Sequence, residues 1–325
     1  MKTENMTLDT VDAGTAQFLN DVISGLGGSP KELQSKYFYD QKGDELFQQI
    51  MAMPEYYLTN CEMEIFRNRT PAMAGMIHAH EAAFDLIELG PGDAQKSIHL
   101  LRYLVERDAE FSYVPIDISG HVLQELEERL GLTLPGLDVS PLEGEYLPLL
   151  ERASDMTDRR KVVLFLGSSI GNMEWRASRK FCEAIYEALN PGDLVLMGFD
   201  LRKHPQTILT AYQDPAGMTA AFNLNLLARI NRELGGDFDP DHFEHYASYD
   251  PVSGACRSFL VSLKNQQVGI AGKDFLFKKN EIIKMEISQK YSMEEIDDLG
   301  ASAGFQPLTF WKDSQSWFVD VLWQR

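Results

Sequence analysis

The stretch Phe84-Asp-Leu-Ile-Glu-Leu-Gly-Pro-Gly-Asp93 constrains this chain more than any other. A short apolar run that stops at a pair of glycines reads as a buried parallel strand feeding a helix. Glycines Gly90 and Gly92 let the backbone approach a ligand closely, and the helix start offers unpaired N–H groups. A tight strand-to-helix turn without a ligand satisfies the same pattern. The dinucleotide fingerprint G-x-G-x-x-G is not met, because Gln95 stands where its third glycine belongs.

The text around this stretch repeats the strand–helix alternation. SIHLLRYLVERD has apolar residues at helical spacing, Tyr113–Asp117 reads as a second strand, and HVLQELEERLG as an amphipathic helix. KVVLFLG (161–167) is the most strand-like run, a helix follows around 176–189, and the Asn190-Pro191-Gly192-Asp193 turn feeds LVLMGFD. Such alternation predicts a parallel α/β sheet wound on both faces. After residue 201 it breaks. Helical text (211–234) precedes two strand-like runs, Arg257–Leu263 and Phe275–Phe277. A helix and two final strands, Gln306–Trp311 and Trp317–Leu322, close the chain. Residues 1–60 show helices and loops and no clear strand. The expected organisation is a sheet domain of residues 62–200 plus 290–325, and a second lobe of residues 1–61 plus a largely helical insertion, 201–289.

Asp117 ends the second strand, where an acid is placed to accept both ribose hydroxyls of an adenosine ligand. Capping of the next helix, alone or shared with Ser119, is the plainer role. Together with the glycine pair, Asp117 fits nucleoside recognition without a pyrophosphate. That favours a methyl donor over a nicotinamide, and the C-terminal strand pair points the same way.

Charge narrows the partners. Lys and Arg number 30 against 49 Asp and Glu, a formal net charge of −19. Such a surface repels phosphate backbones and anionic lipid, so neither nucleic acid nor membrane is an expected partner. The polar N-terminus lacks a secretory layout, and no apolar run reaches bilayer-spanning length. Cys61, Cys182 and Cys256 show neither metal-ligand spacing nor a disulfide framework. These features set a cytoplasmic expectation.

Several unusual stretches carry a family resemblance: KYFYDQKGDELFQQI (36–50), MPEYYLTN (53–60), LIELGPGDAQKS (86–97), VPIDIS (114–119), LFLGSSIGN (164–172), residues 211–234 and MEISQKYS (285–292). Through them the chain resembles the histidine-specific N-alpha-methyltransferases of ergothioneine biosynthesis. The resemblance implies a doubly wound, Rossmann-like class I methyltransferase sheet with an inserted substrate-binding lobe. It implies S-adenosylmethionine as cofactor, L-histidine as the small-molecule substrate and its trimethylated betaine, hercynine, as product. It places the donor site on Tyr39, Gly90, Lys96, Asp117, Glu145 and Tyr146. The amino-acid site falls on Phe47, Tyr56, Gly167, Asn172, Tyr212, Glu286 and Ser288. Two departures stand out. Gly144-Glu145-Tyr146 replaces the family's Gly-Asp-Phe, and Ser258 stands where the histidine enzymes carry a methionine near the imidazole.

Methyl transfer to an amine needs a nitrogen with a free lone pair held in line with carbon and sulfur. A carboxylate against that nitrogen would favour its protonated form. An amide such as Asn172 orients it without that penalty, although an asparagine there also suits a turn or helix cap. Tyr56 and Tyr212 suit a substrate carboxylate because each donates a hydrogen bond without adding charge, whereas Tyr57 reads as packing. Glu286 and Ser288, two apart on a strand, share a face able to take an imidazole; an exposed edge pair is the plainer reading. Phe47 and Tyr39 offer ring faces to a methylated cation, worth about 0.5–2 kcal/mol, and helix-face packing competes for Phe47. His78 and His80, or His242 and His245 at helical spacing, show no third ligand, so no metal is expected. Two alternatives stay open: an N-methyltransferase for another amino acid or small amine, and a non-catalytic donor-binding subunit.

Overall fold

The computed structural model describes residues 13–78 and 82–325 and divides into two compact units. One comprises Tyr56–His204, Pro251–Ala255 and Ser288–Arg325; the other comprises the described residues up to Glu55, Pro205–Asp250 and Cys256–Ile287.

The first unit is built on a twisted sheet. Its order is Gln306–Lys312, Phe318–Gln324, Leu194–Asp200, Arg160–Phe165, Phe84–Leu89, Phe111–Asp117 and Asp138–Val139, with Leu142–Glu143 also on Phe111–Asp117. The strands from Leu194–Asp200 to Leu142–Glu143 pair in parallel. Phe318–Gln324 runs antiparallel to both of its neighbours. This is the doubly wound α/β sheet with a C-terminal antiparallel pair that the sequence predicts. Continuous apolar text gives strands buried on both faces: every residue of Phe84–Leu89 and of Leu194–Asp200 is buried.

The two faces differ in chemistry. Side-chain alternation sends Ile87, Leu89, Val163, Phe165, Met197, Val319, Val321 and Trp323 into one apolar core. Helices Trp175–Ala188 and Met293–Ala303 cover it with Phe181, Ile185, Ile296 and Leu299. The opposite parity carries Glu88, Gly198, Asp200 and Asp320, three of them acids and each of those acids 2% exposed or less. Helix Tyr57–Ile77 packs on Phe318–Gln324 and on helix Ser97–Val105. The sheet-building direction reverses between Phe84–Leu89 and Arg160–Phe165, which opens a crevice at their carboxyl ends.

The other unit holds helices Ala13–Gly27, Gln41–Met51, Pro205–Tyr212 and Met218–Leu234. They accompany a sheet ordered Lys31–Glu32, Ile282–Gln289, Ala255–Ser262, Phe243–Asp250, and a hairpin Gln266–Ile270/Lys273–Phe277. Two expectations are corrected here. Residues 201–289 are not largely helical: five strands lie between Phe243 and Gln289. Residues 1–60 contain a short strand, Lys31–Glu32, in parallel with Ile283–Lys284. These strands are short and half-polar, so their text lacks the apolar runs that mark the large sheet. Among the described residues no helix is long and apolar enough to cross a membrane.

Helix Met293–Ala303 begins with a complete capping box: Ser292 Oγ accepts from the Glu295 amide and the Glu295 carboxylate from the Ser292 amide. Ser292→Ala should therefore lower unfolding free energy by about 1 kcal/mol, read as a shifted urea midpoint at unchanged slope.

Candidate functional site

Two loops leave the crevice. The first follows Leu89, where Gly90 and Gly92 hold φ of +69° and +53°. A β-carbon at Gly90 would lie 2.6 Å from the Tyr146 hydroxyl, so this position needs glycine for both its torsion and its neighbour. The Gly90 amide donates to Ile116 O at 2.8 Å, which ties this turn to the end of the second strand.

Asp117 sits at that end, half-buried. It does not cap the next helix; Ser119 does, its Oγ accepting from the Val122 amide at 3.3 Å. The Asp117 carboxylate accepts the Ser119 amide at 2.9 Å and, more weakly, those of Ile118 and Gly92. Burial pushes its pKa above the usual aspartate range, against the pull of those amides. Gly144 donates its amide to Asp117 O at 2.9 Å and starts helix Tyr146–Ser154, which Glu145 precedes as an exposed cap residue without a side-chain cap bond. Burial first, and the Asp117 charge next, raise the Tyr146 hydroxyl's pKa. Gly90, Gly92, Asp117 and Tyr146 thus converge on one spot. A carboxylate, a glycine turn and an aromatic ring fit a ribose and its base by donor and acceptor chemistry.

The second loop follows Phe165. Gly167 is at φ +72° and Ser168 at φ +56°, and a turn of 3-10 helix runs Ser169–Asn172. Asn172 is exposed, and the next helix is capped at Glu174, so Asn172 does not serve as its cap. Lys96 reaches toward this loop from the first one: its Nζ would lie 3.2 Å from a β-carbon at Gly167. Burial works against the Lys96 charge, but the adjacent Glu62 carboxylate outweighs it and raises the pKa.

Several features of this neighbourhood escaped the sequence reading. Glu62, 1% exposed, accepts the Gly167 amide at 2.8 and 3.0 Å and pairs with Lys96. Tyr57 does more than pack: its hydroxyl donates to Asp200 at 2.8 Å and accepts from Lys203 at 2.9 Å. Ser288, 5% exposed, accepts from the fully buried Lys290 at 2.8 Å, and Lys290 pairs with Asp200 at 2.7 Å. Tyr56, half-buried, stands immediately before helix Tyr57–Ile77.

In the other unit Tyr39 and Phe47 meet edge-on at 5.6 Å. Phe222, which nothing in its sequence context singles out, completes the cluster at 5.7 Å from Tyr39 and 5.8 Å from Phe47. Asp40 fixes their backbone. It caps helix Gln41–Met51 through the Gly43 amide at 2.7 Å and accepts from Asn225 at 2.8 Å and Arg232 at 2.5 Å. Burial raises the Asp40 pKa, but these donors outweigh it and lower it. Tyr212, 7% exposed, ends its helix. Glu286 lies on strand Ile282–Gln289, where the buried–exposed alternation breaks before Ser288, so strand parity does not by itself put the two on one wall.

Ser258 is buried and lies 3.2 Å from His245 Nε2. Burial lowers the His245 pKa to about 4. His245 is on a strand and not, as its spacing from His242 suggests, on a helix. Among the described residues no group of three or more His, Cys, Asp or Glu could hold a metal; His80 lies outside them. The three cysteines are free and buried.

The sequence model of a family described as histidine-specific methyltransferase, SAM-dependent, matches residues 18–325. The chain is 36% identical over 306 residues to a histidine N-alpha-methyltransferase of Mycolicibacterium smegmatis, covering 93% of each. To that of Mycobacterium tuberculosis it is 36% identical over 307 residues, again 93% of each. Ergothioneine biosynthesis protein 1 of Schizosaccharomyces pombe is 31% identical over 271 residues, which are 81% of this chain and 35% of that protein.

Asp117 yields a pH prediction. A carboxylate that accepts from two ribose hydroxyls binds them better than the neutral acid does, so in that role the raised pKa of Asp117 makes donor affinity fall early on acidification. Calorimetric titration with S-adenosylhomocysteine should show affinity dropping at a pH above the ordinary aspartate range. Asp117→Asn should remove that drop while costing about 1–3 kcal/mol at neutral pH.

Proposed function

Because the chain belongs to the SAM-dependent histidine-specific methyltransferases, we propose that it methylates the α-amine of L-histidine to the trimethylated betaine. S-adenosylmethionine supplies an electrophilic methyl group on a sulfonium. The observation that carries this reading is the pair of neighbouring loops, Gly90–Lys96 and Gly167–Asn172, at the carboxyl ends of adjacent parallel strands. The first presents the glycine turn, with Asp117 beside it at the end of the neighbouring strand; the second presents the exposed amide of Asn172.

Each proposed role follows from the chemistry of its group. Asp117 accepts the ribose hydroxyls, and Gly90, Gly92, Glu145 and Tyr146 form the rest of the nucleoside seat, with Lys96 and Tyr39 completing the donor contacts. Asn172 holds the amine through a neutral amide and leaves its lone pair for attack. Gly167 brings backbone close to the amino acid. Tyr56 and Tyr212 donate to the substrate carboxylate. Glu286 and Ser288 take the imidazole. Tyr39 and Phe47, with Phe222 behind them, offer ring faces to nitrogen as it gains methyl groups and a fixed charge.

A second reading keeps the reaction and changes the amino acid. The Ser258–His245 pair favours it, since it puts a polar, part-buried couple where the histidine enzymes are expected to carry methionine.

Incubation with donor and each of the twenty amino acids, followed by mass spectrometry, separates the readings. Histidine should gain up to three methyl groups; methylation of another amino acid in its place supports the second reading. No mass gain with intact donor binding identifies a non-catalytic subunit. Asn172→Ala should reduce kcat about 10²-fold with S-adenosylhomocysteine affinity unchanged. Glu286→Ala should raise the KM for histidine by about 1–3 kcal/mol in binding and leave the donor untouched.

A further inference from the structure

A carboxylate buried under a helix is costly to desolvate unless its oxygens are fully engaged. Glu62 is 1% exposed and engaged at both oxygens: the Gly167 amide at 2.8 and 3.0 Å, and the Lys96 ammonium. The two donors belong to different loops, one following Phe84–Leu89 and one following Arg160–Phe165. The sheet makes room for this acid. Gly198 interrupts the apolar strand Leu194–Asp200, and a β-carbon there would lie 2.4 Å from Glu62 Oε1 and 3.1 Å from Asp320 Oδ1. Glycine within a central strand weakens it and marks a close approach; here the approaching group is a carboxylate.

We propose that Glu62 is a positioning residue for methyl transfer, a single carboxylate that sets the donor-side Lys96 and the acceptor-side Gly167 loop against one another. The inference rests on the S-adenosylmethionine dependence of the reading above and not on which amino acid accepts the methyl group. Asp320 lies beside this arrangement: burial, with the Glu62 charge next, holds its carboxyl well above the usual range, and neither of its oxygens has a hydrogen-bond partner. Lys96, mostly buried, pairs with Glu62, which fixes its direction in preference to solvent. Because Ser168 to Asn172 continue from Gly167 without a strand or long helix, the hold on Gly167 fixes the near end of the segment that presents Asn172.

The test uses Glu62→Gln, Lys96→Met and the double variant of the full chain. The glutamine oxygen still accepts the Gly167 amide, while its NH2 group cannot accept from Lys96. Glu62→Gln should weaken S-adenosylhomocysteine binding about tenfold, lower kcat, and melt cooperatively. In the Lys96→Met background the same change should alter donor affinity by less than about twofold, because the coupling is already cut. Donor affinity and kcat within about twofold of the native protein in Glu62→Gln, or penalties that simply multiply in the double variant, would overturn the proposal. Should Glu62→Gln not fold, Lys96→Met alone decides. Faster hydrogen exchange at the Gly167 amide upholds the link, and unchanged exchange removes it. A failure of histidine methylation with these couplings intact would bear on the acceptor alone.

Discussion

The parallel pairing of Phe84–Leu89 with Phe111–Asp117 on one side and Arg160–Phe165 on the other is the constraint from which the site follows. Strand direction is shared, so all three carboxyl ends emerge together, and the reversal of winding at the central strand keeps their loops from crossing. Glycine at the strand ends then becomes a requirement of torsion. Gly90 and Gly167 both take positive φ immediately beyond buried apolar runs. The ligand-facing backbone is thus set by strands whose own stability comes from burial on both faces.

That burial is unequal in kind. One face is a hydrocarbon core, and the other carries Glu88, Asp200 and Asp320 beneath helix Tyr57–Ile77. Such charges weaken the fold unless they meet a counter-charge or donor, and this chain supplies one to all but Asp320, whose buried oxygens have no hydrogen-bond partner. Asp200 receives Tyr57, Lys203 and Lys290; Glu88 receives Tyr113 and Glu62 receives Lys96. The polar layer adds little net stability over a well-packed apolar one. What it adds is direction, since a hydrogen-bonded charge fixes angles that dispersion contacts leave loose.

Most of the large sheet was legible in the sequence because double burial writes itself as continuous apolar text: LVLMGFD is the strand Leu194–Asp200 residue for residue. The strands between Phe243 and Gln289 were largely illegible. FEHYASYD alternates too weakly for a period to emerge, its burial running buried, exposed, half, exposed. Glycine turns and Asp117 announced themselves locally. Glu62 did not, because its partners lie 34 and 105 residues away and meet it only once the sheet has formed. Phe222 is likewise an ordinary helical phenylalanine until Tyr39 and Phe47 arrive beside it. Gly198 was the one available clue, an unexplained glycine in a central strand.

The Gly167–Asn172 segment shows how such long-range contacts reach the chemistry. It has little regular structure, and Ser168 sits in the left-handed region that a residue with a β-carbon adopts only at a cost. Contacts at successive residues offset that cost, one from a buried acid and one from a strand amide. The Glu62 carboxylate takes the Gly167 amide, and the Asp200 amide donates to Ser168 Oγ at 3.0 Å, while Ser168 O accepts from Gly171 at 2.8 Å. Gly171 must itself be glycine, since a β-carbon there would stand 2.9 Å from Gln289 O. In the role proposed for Asn172, a neutral amide that aims a neutral nitrogen exerts only weak forces on its substrate. Its precision then has to be built into the backbone that carries it, and the buried Glu62 carboxylate holds the first amide of that backbone.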